Sequence, residues 1–395
     1  MPKRGGGVRE RESVAVPKLL IAATTDAEMR YASGLAVTDP FILLDTGRRR
    51  HILVSSLEYG RVRKELLHKK KVKAVLFDKY YETLKKRIER KQKGGKVKRG
   101  SLLALIATAY LKELRIRRVM VPQNAWASHV EQLRKEGIRV EVSQRPLYPE
   151  RAVKTKKELR EILKVRNAAA AAMGRCLTII KESKANAKRE LIYGGRKVTS
   201  ELLRYEARRT LLERACEAPE LIISHGRQTA YPHENGRGVI RTGEPIILDF
   251  FPRGAESGYW FDMTRTVCKG MPSSELKKLY DAVKEAQDAA LKLIKPGMRT
   301  GRIHAAAEEV FARRGYATTA EEGFIHGTGH GVGLEIHEAP SLGKEGKDVL
   351  RRGNILTVEP GLYYRKVGGV RLENTVLVTT TGYKDLTRMG RVLLL

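Results

Sequence analysis

The sequence predicts two domains of mixed helix and strand: an α/β unit at the front, then an α+β unit built on a repeated strand pair. Three observations carry that expectation. Residues 14–150 alternate short apolar runs, at 19–23, 41–44, 52–54, 74–77 and 119–121, with helical stretches such as 102–114, as packed layers of strand and helix require. A charged, alanine-rich stretch from 154 to about 183 carries no turn signal and reads as a long junction helix. Beyond it, two segments each lead an apolar run into a carboxylate and return to another, with 13 residues between Asp249 and Asp262 and 14 between Glu359 and Glu373. Two similar hairpins, each with a pair of acids, suggest an internally duplicated fold.

Taken in order, residues 1–13 are polar and basic, with no secretory leader pattern, and read as a flexible N-terminus. The divisions expected are therefore 1–13, 14–150 and 151–395; a chain of 395 residues is long enough for two proper cores. Helices are expected at 200–216, at 274–294 where Pro296-Gly297 stops the pattern, and at 300–314. No apolar run approaches the ~18 residues that span a bilayer, so no membrane partner is expected. Cys176, Cys216 and Cys268 are odd in number and lack C-x-x-C spacing, which excludes a disulfide framework and a zinc knuckle and suits a reducing cytoplasm.

The first hairpin reads Ile246-Ile247-Leu248-Asp249, a turn at Pro252-Arg253-Gly254, then Phe261-Asp262-Met263-Thr264. In the second, Ile355-Leu356-Thr357-Val358 leads to Glu359, Pro360-Gly361 makes the turn, and residues 369–378 return through Arg371 and Glu373. Carboxylates inside apolar strand patterns are costly to bury without a cation or hydrogen bonds. With His330 they form a thiolate-free donor set suited to manganese, cobalt, zinc or iron(II), and four acids are more than one divalent ion requires. Two ions fit better. His330 lies in Phe324-Ile325-His326-Gly327-Thr328-Gly329-His330-Gly331-Val332-Gly333-Leu334-Glu335-Ile336-His337-Glu338. A zincin helix fails here, because glycines interrupt it and no glutamate follows His326. The spacing does not fit a dinucleotide fingerprint either, so the glycines are expected to let backbone approach a metal site closely.

Together, Leu248-Asp249, Phe261-Asp262-Met-Thr-Arg-Thr266, the His326–Glu338 segment, Val358-Glu359-Pro-Gly-Leu362 and Val370-Arg371-Leu-Glu373-Asn374 resemble the "pita-bread" metallopeptidases, in the creatinase, prolidase and Xaa-Pro aminopeptidase branch. The resemblance covers about 155–395, and more weakly the front, where Asp26-Ala-Glu-Met-Arg-Tyr31 and Asp39-Pro40-Phe41 resemble the creatinase-type N-terminal domain. It implies a duplicated pita-bread α+β catalytic domain behind a smaller α/β domain, peptide substrates, two divalent ions with manganese first, and a homodimer. Residue by residue, it implies that Asp249 chelates one ion, His330 and Glu359 the other, and Asp262 and Glu373 both. Glu359 would double as proton shuttle. His337 would contact the substrate carbonyl, His233 the amide beyond the cut and His326 the substrate pocket; Arg371 would orient a ligand carboxylate or touch substrate. Two departures stand out: extra residues at 252–256 lengthen the first hairpin's turn, and Asn374 replaces a frequent aspartate.

Charge is the remaining signal. The net charge is +32, and residues 1–150 carry 34 basic against 16 acidic side chains, with the strongest runs at 61–73 and 85–99. An anionic partner such as nucleic acid or a ribosome is one reading. Aromatic residues do not interleave with the charges as a single-strand binder requires, so a solvated basic face is preferred. Two function classes follow: a dinuclear-metal peptidase acting at an N-terminal Xaa-Pro bond, or a non-catalytic nucleic-acid or ribosome-associated protein on the same fold. Retention of every ligand position with His233 and His337 favours the peptidase and disfavours metal-free creatine hydrolysis. The 150-residue front domain argues against methionine aminopeptidase.

Overall fold

A computed structural model of the chain describes residues 16–66, 71–92 and 101–395. The N-terminal segment 1–13 lies outside the described residues, as do parts of the basic runs 61–73 and 85–99. The chain divides into two compact units, the first ending at Pro149 and the second running from Glu150 to Leu395.

The first unit is an open sheet with helices on both faces. In chain order it holds β1 (Lys18–Ala22), α1 (Ala27–Ser33), β2 (Phe41–Asp45), β3 (Arg50–Val54), α2 (Ser56–Leu66), β4 (Val72–Leu76), α3 (Asp78–Gln92), α4 (Leu102–Glu113), β5 (Arg118–Val121), α5 (Ala127–Lys135) and β6 (Arg139–Val142). The strands lie in the order β4-β3-β2-β1-β5-β6, with β1–β2 and β2–β3 antiparallel and the other pairs parallel. Alternate side chains of each strand point to opposite faces. Leu19, Ile42, Leu44 and Leu53 accordingly pack under α3, α4 and α5, whereas Leu20, Leu43, Ile52 and Val54 pack under α1 and α2.

The second unit opens with α6 (Lys156–Glu182), started by a reciprocal capping box between Thr155 and Glu158. Short strands β7 (Lys184–Ala185), β8 (Leu191–Tyr193) and β9 (Arg196–Lys197) lead to α7 (Ser200–Leu212). The helix expected to reach 216 stops at Leu212, because Ala215 turns left-handed (φ 52°) and Cys216–Glu217 become a strand, β10. There follow β11 (Ile222–His225), β12 (Ile246–Phe250), β13 (Arg253–Gly254), β14 (Met263–Val267), α8 (Ser274–Lys292) and α9 (Thr300–Arg313). The C-terminal strands are β15 (His330–Gly331), β16 (Glu338–Ser341), β17 (Ile355–Val358), β18 (Gly361–Tyr364), β19 (Gly368–Arg371), β20 (Asn374–Val378) and β21 (Tyr383–Asp385).

The duplication is visible in the packing. Helices α6 and α7 cover the β11-β12-β14 sheet through Ile162, Leu203, Ile246 and Leu248, while α8 and α9 cover the β16-β15-β17-β20-β21 sheet through Ala290, Ile303, Leu356 and Val376. The mixed α/β fold with a leading domain is as the sequence predicts. One hairpin is built differently. Pro360-Gly361 is no turn: β18 begins at Gly361 and pairs with β19, and the chain reverses at 365–367 before β20 returns beside β17. The extra residues of the first hairpin also acquire structure, since β13 pairs with β10.

Candidate metal centre

The acids stand where strands end. Asp249 is the fourth residue of β12 and faces Thr264 of β14 in register; Asp262 immediately precedes β14. Glu359 follows β17, and Glu373 precedes β20. With His330 of β15 these five groups come together, and Asp262, His330 and Glu373 each present a ligand atom within 4.8 Å of the others. His330 Nε2 lies 3.1 Å from Glu359 Oε1 and 3.8 Å from Asp262 Oδ2. Its Nδ1 donates to the Gly331 carbonyl at 3.1 Å, so Nε2 is the ring nitrogen turned to the acids.

The electrostatics favour an added cation. Asp262 and Glu373 are 5 % and 1 % exposed, and Asp262 Oδ1 and Glu373 Oε1 have no hydrogen-bond partner. Burial, then the negative charges beside them, pushes both carboxyls well above the usual range. Burial alone would raise Glu359 too, but the hydrogen bond and charge of His330 hold it down at about 2. His330 is disfavoured as a cation by burial, yet Glu359 and Asp262 push it up to about 9. Three buried carboxylates and the half-buried Glu359 share an imidazole and one guanidinium, so the residues fit a site for divalent ions: oxygen-rich, borderline in softness, with two oxygens unclaimed by protein.

That guanidinium is Arg371, 4 % exposed, which bonds Asp249 Oδ2 through Nη2 and the Tyr363 hydroxyl through Nη1 at 2.7 Å. The Tyr363 hydroxyl donates to His326 Nε2 at 2.9 Å, and His326 Nδ1 donates to the Gly327 carbonyl at 2.7 Å. Both nitrogens of His326 are therefore spent within the protein, and burial holds the ring neutral. It lines a cavity of about 710 Å³ together with Asp249, Asp262, His330, Glu359, Arg371, His233 and His337. His337 packs edge-on against His330 with centroids 4.2 Å apart; burial, then His330, lowers its pKa. His233 is exposed at the rim.

The glycines of the histidine segment serve the packing of neighbouring chain rather than a metal. A Cβ on Gly329 would lie 2.1 Å from the Thr357 carbonyl oxygen, and one on Gly331 2.3 Å from that of Ala339. At Gly333 it would meet the Glu338 carboxylate at 2.5 Å. Glu338 in turn is held by Lys154 Nζ and by Arg151 Nη2 at 2.9 Å, and Arg151 also bonds Glu335 at 2.8 Å. The loop bearing His337 is thus anchored at both sides of that residue by a pair of buried cations.

Several supporting residues escaped the sequence reading. Thr264 Oγ lies 2.8 Å from both Asp249 Oδ1 and Glu373 Oε2, linking the two hairpins. Thr357 Oγ accepts from the His330 backbone N–H at 3.0 Å and donates to Glu359 Oε1 at 3.1 Å. Gln287 of α8, fully buried, donates to the carbonyls of Val358 and Leu372, the residues before each acid of the second pair. Arg265, 1 % exposed, caps the carbonyls of Thr264, Glu373, Met389 and Gly390. Asn374 turns away from the acids and donates to Asp385 at 2.7 Å. The one available signal was threonine and arginine alternating in Thr264-Arg265-Thr266, polar residues inside a strand buried throughout.

Comparison with known proteins agrees with this picture. The chain is 40% identical over 177 residues to the Xaa-Pro dipeptidase of Pyrococcus furiosus, a match covering 44% of this chain and 49% of that protein. The chain spans about half the length of the curated relatives it matches. Among solved structures, an Xaa-Pro dipeptidase from Bacillus anthracis superposes with a TM-score of 0.77 at 25% identity, covering 96% of this chain and 95% of that one. An X-Pro aminopeptidase from Thermotoga maritima shares the fold, with a TM-score of 0.76 at 22% identity over 96% and 97% of the two chains. Residues 160–380, which contain all five clustered donors, match the profile of one family, and the chain belongs to metallopeptidase family M24.

Proposed function

We propose that the chain is a metallopeptidase that hydrolyses an N-terminal Xaa-Pro bond, as an aminopeptidase or a dipeptidase. One observation carries the reading: four carboxylates, three of them buried, and an imidazole, with two of their oxygens unpartnered, converge beside a cavity of about 710 Å³ that suits a short peptide. Asp249 would hold one divalent ion, His330 and Glu359 a second, with Asp262 and Glu373 shared between them. Manganese is the first expectation, and cobalt, zinc or iron the alternatives. Ions bound there would supply a nucleophilic water at neutral pH and Lewis acidity toward the scissile carbonyl.

The chain's own residues do the rest. Glu359 takes a proton at its carboxylate and returns it to the leaving amine. His337, kept neutral by burial, donates an N–H to the substrate carbonyl oxygen, and the exposed His233 meets the amide beyond the cut. Arg371 fixes the Asp249 carboxylate, and His326, its nitrogens engaged, closes the wall through ring carbons.

The likeness to the Pyrococcus and Bacillus dipeptidases supports the proline preference. A homodimer belongs to the same reading and is checked by light scattering in solution. So does a cytoplasmic location, supported by three buried free thiols; no helix among the described residues is long and apolar enough to cross a membrane. A non-catalytic nucleic-acid role is not favoured, since such a module has no use for a desolvated cluster of acids. The deciding assay offers Xaa-Pro dipeptides and longer peptides to metal-stripped protein with manganese, cobalt or zinc restored. Metal-dependent release of the residue before proline is expected; no hydrolysis with any ion overturns the proposal.

A further inference from the structure

The first unit carries a cavity of about 390 Å³ remote in sequence from every residue of the metal centre. Strands β1 and β5 are parallel neighbours, but the chain leaving β1 forms α1 on one face of the sheet and the chain leaving β5 forms α5 on the other. Adjacent parallel strands whose connections diverge open a crevice beyond their carboxyl ends, the general ligand position of open α/β sheets. The cavity lies there: Ala23, Thr25 and Asp26 follow β1, and Pro122, Asn124 and Trp126 follow or close the turn after β5.

Its chemistry is specific. His129, 8 % exposed, lines the cavity, and its ring nitrogens meet no hydrogen-bond partner among the described residues; the ring stacks on Trp126, with centroids 5.3 Å and planes 21° apart. Across the same mouth stands Asp26, which accepts from Met29 N at 2.8 Å and from Asn124 Nδ2 at 2.8 Å, the latter bond tying it to the segment that enters α5. Between these poles the walls are apolar, with Ile21, Val121 and Leu133. Among the described residues no Lys or Arg lines the cavity.

We propose that this crevice binds the zwitterion of a free apolar amino acid. Asp26 takes the ammonium group, a ring N–H of His129 takes the carboxylate, and the side chain lies on the apolar wall beside Trp126. Burial lowers the pKa of His129, so the ring is neutral and keeps both a donor and an acceptor. The binding claim stands whether or not the chain is a peptidase.

The test is calorimetric titration of the metal-loaded full chain with L-leucine, alongside Trp126 fluorescence; Trp260 is the only other tryptophan. Leucinamide, lacking the carboxylate, and 4-methylpentanoate, lacking the amine, are each expected to bind at least about tenfold more weakly, a factor equal to about 1.4 kcal/mol. Asp26→Asn keeps a good helix cap but should cost the ammonium contact, again about tenfold. Trp126→Ala, at a site 67 % exposed, and His129→Leu should weaken binding, and His330→Ala should leave it intact. Saturable leucine binding with this pattern supports the crevice. Absence of binding, equal binding of leucinamide, or loss in His330→Ala with retention in Trp126→Ala overturns it.

Discussion

The two hairpins of the second unit place their acids alike and treat them differently. In each, the acid on the outgoing strand has a protein cation: Asp249 has Arg371, and Glu359 has His330. In each, the acid before the returning strand, Asp262 or Glu373, keeps one buried oxygen without a partner. The duplication is therefore electrostatic as well as topological. Outgoing acids have a partner cation from the chain, and the returning acids keep an oxygen that the chain leaves unpartnered, as the shared positions proposed for Asp262 and Glu373 require.

The largest effect that bears on this comparison is at the outgoing acid of the second hairpin. Glu359→Ala should lower peptide hydrolysis by about 10³-fold or more while circular dichroism stays native, because a proton shuttle of this kind contributes about 10²–10⁴ and a donor to the ions is lost as well. Retained hydrolysis would exclude the role assigned to Glu359.

Removing the partner of the other outgoing acid should act on stability first. Arg371→Met leaves Asp249 buried beside Thr264 alone, and a buried carboxylate stripped of its cation costs about 3–5 kcal/mol. The returning acids should behave oppositely in metal-stripped protein. Asp262→Asn or Glu373→Gln relieves like-charge crowding and should raise the urea midpoint, by about 1–3 kcal/mol in stability, while lowering manganese uptake measured by mass spectrometry. If these substitutions destabilise the stripped protein as Arg371→Met does, the two classes of acid are not distinct.

How much of this was legible in the sequence follows from the range of each interaction. An apolar run that ends at a carboxylate is a local pattern, so all four acids, His330 and the β1 to β5 runs could be read off the chain. The inner pair β18 and β19 was hidden, because Pro360-Gly361 is a strong local turn signal and the cross-strand pairing of Leu362 with Val370 is not local. Gln287, Arg265 and Lys154 were hidden for the same reason. Each looks like a solvated helix or strand residue until the fold brings Leu372, Gly390 or Glu338 to it.

Lys154 offers a smaller effect that lies outside both hairpins. Its ammonium and Arg151 hold Glu338 next to His337, so Lys154→Met should let that loop shift and lower kcat about tenfold with little change in KM. Lys154→Arg should restore most of the loss. A paired Lys154→Met, Glu338→Leu variant should recover thermal stability without recovering kcat, since removing both charges ends the desolvation cost but not the need for an anchor. Equal recovery of both would make the pair structural only.

The smallest effect separates the two units by pH. In the first unit, burial lowers the pKa of His51 and of His129 below 6.5, so the unfolded chain binds more protons than the folded one as pH falls through that value. Its stability is complete above about pH 6.5 and declines below it. In the metal-stripped second unit the signs reverse at higher pH. His330, raised to about 9, contributes stability below its unfolded pKa that is lost as pH rises through 9. Asp262 and Glu373, raised by burial, add to the same slope as they ionise. Hydrogen exchange followed peptide by peptide should then show the first unit opening faster at pH 5.5 than at pH 7.5, about where unperturbed histidine titrates. In stripped protein the second unit should open faster as pH rises toward 9, the value reached by His330. Restoring manganese should flatten the second slope and leave the first untouched, because an ion on Asp262, His330 and Glu373 displaces the protons that produce it.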